Sequence, residues 1–326
     1  MPFKKCKFPL LLPVLFASLA SIPTAHSAPV TLDTVLVSHD RDRLPLRDIA
    51  ASVFAVDSEH LQAVNHVHVN EALTEVPGVW ISRGNGQEHP TAIRSPVLTG
   101  AGSCGAFQMS LDNIPLRAAG FCNVNQLFEV NTEQAMAIEV MRGPGSVLYG
   151  SNALHGAINV LSQGVSETLS GMLALDAGPH GYQRIKTGIS NSQGRHGLRL
   201  NVNGARDGGY KDDSGFEQQK LDLKHQYRGE GYQVTSLLTH SNLNQQTAGY
   251  LLGYRAYQDD DLKTTNPNPE AFRNANSSRL QSHITWQNRL GEWSISPYYR
   301  HTKMDFLMHF LPGTPLEENA QQSLGV

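Results

Sequence analysis

Two hydrophobic patterns divide the chain near residue 165. Beyond it, apolar and polar positions alternate with period two. Leu198, Leu200 and Val202 alternate with Arg199, Asn201 and Asn203, and Leu221, Leu223 and Tyr227 with Lys220, Asp222, Lys224 and Gln226. Leu280, Ile284, Trp286 and Leu290 alternate in the same way with Gln281, His283, Thr285 and Arg289. Extended backbone points successive side chains to opposite sides, so each run has one apolar and one polar face. With further starts at Leu169, Tyr182, Tyr232 and Trp293, the pattern predicts about seven strands. Short turns such as 228–231 and long polar loops such as 245–276 join them alternately. A membrane barrel and a soluble β-sandwich both alternate, but short turns on one side and long loops on the other are the layout of a barrel. Tyr227, Trp286, Trp293 and Tyr299 at strand ends fit an interfacial aromatic girdle, with core aromatics as the other reading.

Residues 30–163 read instead as a small unit mixing α and β structure. Val53 to Val56 is a short apolar strand, and a helix over residues 70–75 stops at Pro77-Gly78, where proline cannot continue it and glycine takes the turn. Strand resumes at 79–81. Residues 107–111, the Asp112-Asn113 turn and 114–116 read as a hairpin, because Asp and Asn tolerate positive φ. Strands at 138–141 and 157–161 enclose Gly143, Pro144, Gly145, Gly150 and Gly156, with a short helical stretch at 147–149.

The N-terminus reads as an export signal. Lys4, Lys5 and Lys7 precede an apolar stretch over 8–22, and no acidic residue occurs before Asp33. Cleavage fits best after Ser27, with Ala28 a competing site, and Cys6 leaves with the signal. Cys104 and Cys122 remain. In an oxidising compartment an even pair inside one glycine-rich region points to a disulfide, which would contribute roughly 3 kcal/mol by loop closure; two free buried thiols are the alternative. A net charge of -3 without a basic block removes the footprint of a nucleic-acid binder. With 40% hydrophobic and 17% charged residues the chain is not compositionally disordered. No run of about 20 apolar residues follows position 30, so no helix is expected to span a bilayer, while an alternating barrel stays allowed. Nucleophile elbow, Walker loop and His-Glu-x-x-His patterns are all missing, which argues against an enzyme.

Arg142-Gly143-Pro144-Gly145-Ser146-Val147-Leu148-Tyr149-Gly150-Ser151-Asn152-Ala153, then Gly156-Ala157-Ile158-Asn159, resembles the terminal motif of the plug domain of TonB-dependent outer-membrane receptors. Ile138-Glu139-Val140 precedes it, as in that family. Upstream, Glu71-Ala72-Leu73, Val76-Pro77-Gly78-Val79, Ile93-Arg94 and Leu111-Asp112-Asn113-Ile114-Pro115-Leu116 follow in the plug's order. Ser95 and His155 stand where the family usually has glycine, which is tolerable if the backbone there avoids positive φ.

The resemblance implies an α+β plug domain followed by an antiparallel transmembrane β-barrel. The expected division is a signal peptide at 1–27, a TonB box and linker at 28–43, the plug at 44–164 and the N-terminal part of a barrel at 165–326. Asp33, Thr34, Val35, Leu36, Val37 and Ser38 resemble a TonB box, a β-prone stretch suited to adding as a strand to a TonB-like energy transducer. Arg94, Glu139 and Arg142 resemble charged plug residues that pair with the barrel wall. Ligand-facing plug loops would supply Arg83, Asn85, Gln87, His89, Arg117 and Phe121. His66 and His68 would share one face of an extended segment, but no third ligand accompanies them, so no metal or cofactor site is expected. The implied function is energised uptake of a scarce ligand through the outer membrane of a Gram-negative bacterium, with a ferric siderophore as the first cargo class. A transport-incompetent truncated fragment and a plug-fold periplasmic or surface binding module are the alternatives. Plugged barrels use about 22 strands of about 10 residues, more than 165–326 supplies, and the last residues lack a terminal aromatic, so a fragment is the expectation.

Overall fold

The computed structural model describes residues 36–40, 42–45, 51–83, 86–97, 106–118, 126–145 and 152–326. A first hairpin pairs β1 (Leu36–Asp40) with β2 (Asp42–Pro45), Leu36 opposite Pro45 and Val37 opposite Leu44. The α+β unit follows. Its five-stranded sheet has the order β3 (Val53–Asp57), β8 (Ala135–Arg142), β9 (Gly156–Ser162), β6 (Phe107–Leu111) and β7 (Ile114–Pro115). Only β6 and β9 run parallel. A second pair, β4 (Val79–Ile81) with β5 (Thr91–Ile93), flanks it.

Two short helices close this core. In α1 (Ser58–Val64) the Asp57 carboxylate accepts from the His60 N–H at 2.8 Å, capping the first turn. In α2 (Val69–Leu73) the His68 ring caps by accepting from the Asn70 N–H, and the chain turns away through Gly78 at φ +79°. Leu61, Ala72 and Leu73 from the helices and Val76 from the turn after α2 meet Ile93, Leu111, Ile138, Val140 and Ile158 from the strands in one buried cluster. The hairpin turn has the expected chemistry: Asp112 and Asn113 take φ +48° and +66°, the two left-handed residues of a tight hairpin turn. Gly156 is fixed by space rather than by φ, since a Cβ there would sit 2.4 Å from the Met141 carbonyl oxygen. Neither Ser95 nor His155 takes a positive φ; the strained position is Arg94, at +49°. The helical stretch expected at 147–149 lies outside the described residues.

From residue 170 onward one antiparallel sheet runs to the end of the chain. Its order is β10 (Ser170–Ala177), β11 (Gln183–Gln193), β12 (His196–Asp207), β13 (Phe216–Arg228), β14 (Tyr232–Gln246), β15 (Phe272–Asn288), β17 (Tyr298–Leu307) and β18 (Leu316–Gly325). The short β16 (Gly291–Ile295) also pairs with β15, below β17, so β16 and β17 occupy one place in the wall, interrupted at Ser296-Pro297. The sequence reading of about seven strands lacks β18, whose residues 317–323 are nearly all polar or small and show no apolar alternation. The long loop is also shorter than read, 247–271, because β14 and β15 extend into it on polar residues.

The polarity of the sheet separates the barrel from the sandwich. Arg184, Lys186, Asn201, Lys220, Arg279 and Arg300 are buried, while Leu175, Ile189, Leu198, Leu238 and Leu280 are among the exposed large hydrophobics. A soluble sandwich buries the apolar face; this sheet buries the polar one. Cross-strand registers align Ile189, Leu200, Leu223, Leu238, Leu280, Tyr299 and Leu324 into one outward apolar row. Trp286 and Trp293, stacked at 6.5 Å between ring centroids, mark the short-turn end of β15 and β16, as a girdle would.

Candidate functional site

The polar face of the wall is buried because the α+β unit lies against it, and the site is this contact. Helix α1 ends at Asn65, which takes a left-handed conformation, φ +49°, and donates its N–H to the Leu61 carbonyl. That ending presents the carbonyls of Asn65 and His66 outward, where Arg184 on β11 donates to both, at 3.0 and 2.5 Å. Lys186 donates to the Asn65 side-chain oxygen at 2.6 Å, and Asn65 donates to Asp176 at 2.9 Å.

Three plug carboxylates enter the wall. Glu133 receives Lys220 at 2.9 Å on both oxygens, with both side chains more than nine-tenths buried. Burial acts to raise the Glu133 pKa, but Lys220 and its neighbours outweigh it and hold the group below the usual carboxylate range. Thr132 links this pair to His66, donating to Glu133 and bonding the His66 Nε2 at 3.1 Å. Among the described residues Glu129 has no such cation within bonding distance; Ser277 and Thr302 donate to its two oxygens, at 2.9 and 3.2 Å, and burial pushes its pKa up. Glu88 pairs with Arg273 at 2.9 Å, whose guanidinium lies 4.0 Å from the Phe306 ring centroid.

The hairpin β6–β7 is held by its backbone. Arg279 donates to the carbonyls of Ile114, Pro115 and Leu116 at 3.3, 3.2 and 3.1 Å, and Arg300 also donates to that of Pro115. Gln281 reaches the Leu111 carbonyl, Lys224 that of Ser162, and Gln321 on β18 accepts from the Ala118 N–H at 2.7 Å. Sequence reasoning missed these wall residues. Their signal was present, since all lie on the polar phase of their strands, and long basic side chains pointing at a protein face rather than water need acceptors.

Of the residues expected to pair with the wall, the described bonds of Arg94, Glu139 and Arg142 run within the plug. Arg94 donates to Ser52 at 3.1 Å, Arg142 to the Pro77 carbonyl at 2.9 Å, and Glu139 accepts from Asn159 at 3.1 Å. The expected ligand residues separate into two kinds. Gln87 and His89 are buried: the Gln87 N–H donates to the Gln245 side-chain oxygen at 2.6 Å, and its side-chain amide donates to the Val67 carbonyl. His89 donates from Nδ1 to the Gln87 carbonyl at 3.0 Å and accepts the Leu127 N–H on Nε2 at 2.7 Å, a neutral ring with both nitrogens used. Arg83 is exposed and pairs with Glu71 at 3.2 Å. Arg117 is 7% exposed, its Nη2 has no hydrogen-bond partner, and burial lowers its pKa. Asn85, Phe121, Cys104 and Cys122 lie outside the described residues, as do Asp33, Thr34 and Val35. Leu36, Val37 and Ser38 fall in β1.

His66 and His68 both make hydrogen bonds within the plug. His68 uses Nδ1 as a helix cap and donates from Nε2 to the Glu88 carbonyl at 2.6 Å. Among the described residues no group of three His, Cys, Asp or Glu is placed to hold a metal ion. Burial pushes the pKa of His66 and His68 down to about 4 and that of His89 to about 3.

Residues 45–157 match the family model of the TonB-dependent Receptor Plug Domain. The vitamin B12 transporter BtuB of Vibrio vulnificus strain CMCP6 is 26% identical over 210 residues, which is 64% of this chain and 33% of that protein. Among solved structures, the unliganded ferric citrate transporter FecA superposes with a TM-score of 0.70 at 19% identity, over 84% of this chain and 43% of that one. The pyoverdine outer-membrane receptor FpvA of Pseudomonas aeruginosa PAO1 gives 0.70 at 14% identity, over 89% and 45%. The chain thus spans about a third of the B12 transporter and less than half of these receptors. These relatives are transporters and receptors rather than enzymes. Residues 45–157 are thus matched as a plug domain of the TonB-dependent receptors, and the strands that follow share the fold of these outer-membrane transporters and receptors.

Proposed function

We propose that this chain serves energised uptake of a scarce extracellular ligand through the outer membrane, with a ferric siderophore as cargo. The observation that carries this reading is the seating of the plug on the polar inner face of an outward-apolar wall, so that passage requires the plug to move. Relatives described as receptors for ferric citrate and pyoverdine support an iron chelate, and the B12 transporter supports a different cargo. On this reading the domain boundaries are those of the sequence: signal peptide 1–27, TonB box and linker 28–43, plug 44–164, barrel strands from 165.

Residues 33–38 would be drawn out by a TonB-like transducer through strand addition. The pairing of Leu36–Asp40 with Asp42–Pro45 supports the β tendency this requires. In a full-length homologue, the change equivalent to Val35→Pro removes a ladder donor and bends the strand, and should abolish energised uptake while ligand binding persists. Uptake undiminished by Val35→Pro would sink the reading. Burial, and then the neighbouring Arg94 charge, lower the pKa of Arg142, and we assign Arg94, Glu139 and Arg142 to ionic contacts with barrel segments. Cys104 and Cys122 would be bridged after export; a non-reduced digest should yield the linked peptides, and two free thiols in periplasmic material would contradict it.

A further inference from the structure

Where the one-turn 3-10 helix Gln126–Glu129 meets the wall, three buried side chains make more contacts than they have protons for. Ser277 on β15 lies 2.9 Å from one oxygen of Glu129, Thr302 on β17 lies 3.2 Å from the other, and the two hydroxyls are 3.0 Å apart. When Glu129 is ionised both hydroxyls donate to it, and the contact between them is left empty, because a hydroxyl carries one proton and a carboxylate none. Three bonds need three protons. A carboxylic acid supplies the third: its O–H donates to one hydroxyl, that hydroxyl to the other, and the second to the free carboxyl oxygen, closing a ring. The surroundings favour the same form. The cations that act on Glu129 are Arg279 from β15 and Arg300 from β17, and burial outweighs them and raises its pKa. Arg279 spends donors on the carbonyls of 114–116, and Arg300 on that of Pro115 and on the Ser323 hydroxyl at 2.6 Å. Further along β15, Arg273 is taken by Glu88, and on the plug side Glu133 is taken by Lys220. β14 also packs against this turn, with Thr239 and the register partner of Ser277, Ser241, on its buried face, and no charged residue there.

We propose that Glu129 is a proton-binding site of the contact between plug and wall, a neutral carboxylic acid while the plug is seated, and that loss of its proton to solvent loosens the β6–β7 hairpin by drawing Arg279 and Arg300 toward the new carboxylate. The two halves of the proposal share one competition. A guanidinium bonds a carboxylate about twice as strongly as it bonds a neutral acceptor. While Glu129 is neutral, the hairpin carbonyls hold both arginines; once it is charged, they lose them. The pH dependence has a definite sign. On a withdrawn plug Glu129 meets water and ionises in the ordinary carboxyl range, so between that range and its higher seated value the seated state holds one more proton. The contact therefore tightens as pH falls through this window and weakens as pH rises through it, opposite in sign to the buried histidines. The inference goes beyond uptake, since it requires neither cargo nor transducer.

The test compares the full chain, purified in detergent, with E129Q, whose side chain has the shape of the neutral acid, donates and accepts in the same places and does not titrate. Urea unfolding is measured for both at a series of pH values from 5 to 8, so that the histidines cancel in the comparison. The unfolding constant of the wild type relative to E129Q should rise with pH, by up to about tenfold per pH unit, the slope of one proton. A ratio that is flat or falls with pH would overturn the site; a falling ratio is what an ionised Glu129 paired with the arginines would give. Infrared difference spectra at pH 6 should show a protonated carboxyl band that moves in heavy water and is missing from E129Q. Its absence from the wild type would overturn the neutral acid. Where E129Q does not fold, the same band is assigned by its displacement in S277A, which opens the ring, and a band unmoved in S277A would overturn the assignment. Amide exchange of residues 107–116, corrected for its intrinsic pH dependence, should quicken with pH in the wild type and not in E129Q; equal behaviour would overturn the loosening of the hairpin. None of these outcomes bears on the Val35→Pro result.

Discussion

At the scale of single residues, the contact is built from buried groups whose protonation is fixed by their surroundings. His68 and His89 each donate from one nitrogen and accept on the other, and the Nδ1 of His66 is buried unbonded, so none of the three has room for a second proton without losing a bond or meeting desolvation. Their folded pKa values, about 4, 4 and 3, lie below the value near 6.5 of the unfolded chain. The unfolded state therefore binds more protons in between. Their stabilisation is complete above about pH 6.5 and is lost as pH falls toward 4. The urea midpoint of plug unfolding should drop from pH 7 to pH 5, and His66→Leu should shrink that drop; a midpoint flat across this interval would refute the neutral-histidine account. The Glu133–Lys220 pair makes a second prediction. Glu133→Ala strands a buried ammonium and should cost about 3–5 kcal/mol, whereas Glu133→Ala with Lys220→Met should recover most of it. If the single and double variants lose the same stability in urea titrations, the pair is not coupled as the geometry requires.

At the scale of elements, the outward apolar belt is not horizontal in the register. On β12 it covers Leu198, Leu200 and Val202. On β15 it runs from Leu280 to Trp286, and the position paired with Leu221 and Val202 is there filled by His240 on β14 and Ser278 on β15. A belt of constant height crosses strands tilted by about 40° at successive registers, so it drifts toward the short-turn end as the strands proceed. Leu223, in the middle of the belt, should therefore tolerate charge badly. Leu223→Arg is expected to cost about 2–4 kcal/mol in refolding into lipid, and Asn244→Arg, outward on β14 beside Glu217 but beyond the belt, close to nothing. Equal costs at both sites would place the belt elsewhere.

How far these elements could be read from sequence depended on which face carries hydrophobic side chains. Leu221 and Leu223 against Lys220 and Asp222 announce β13, because the lipid face is apolar. β18 does not announce itself, since Glu318, Ala320 and Gln322 point outward above the belt and Glu317, Asn319 and Gln321 point inward to a polar surface. The plug's turn at Asp112-Asn113 and its stop at Gly78 were legible because only a few residue types tolerate those backbone angles. The grip of Arg279 and Arg300 was not: their partners are backbone carbonyls, which leave no mark on the sequence of the plug. For the same reason the bonds by which Gln87 and His89 fasten the plug to itself and to β14 left no mark in a loop rich in polar residues.

At the scale of the whole molecule, the buried polar face of the sheet and the plug form a single unit. Wall cations hold the plug largely by carbonyls at α1, at β6–β7 and at Ser162, with Glu133 and Glu88 as ionic pins. Bonds of this kind are individually worth about 1.5–3 kcal/mol and break one at a time, so a pulled plug can leave in steps rather than in one concerted release. The claim beneath all of this is the phase of the sheet, apolar side to lipid and polar side to plug. The most direct measurement is a cysteine scan of residues 220–226 on β13, spin-labelled in outer membranes, with collision rates recorded against oxygen, which concentrates in lipid, and a water-soluble nickel chelate. The account predicts a period-two profile with oxygen maxima at Leu221, Leu223 and His225 and minima for both probes at Lys220, Asp222 and Lys224. The opposite phase, or no periodicity, would contradict it.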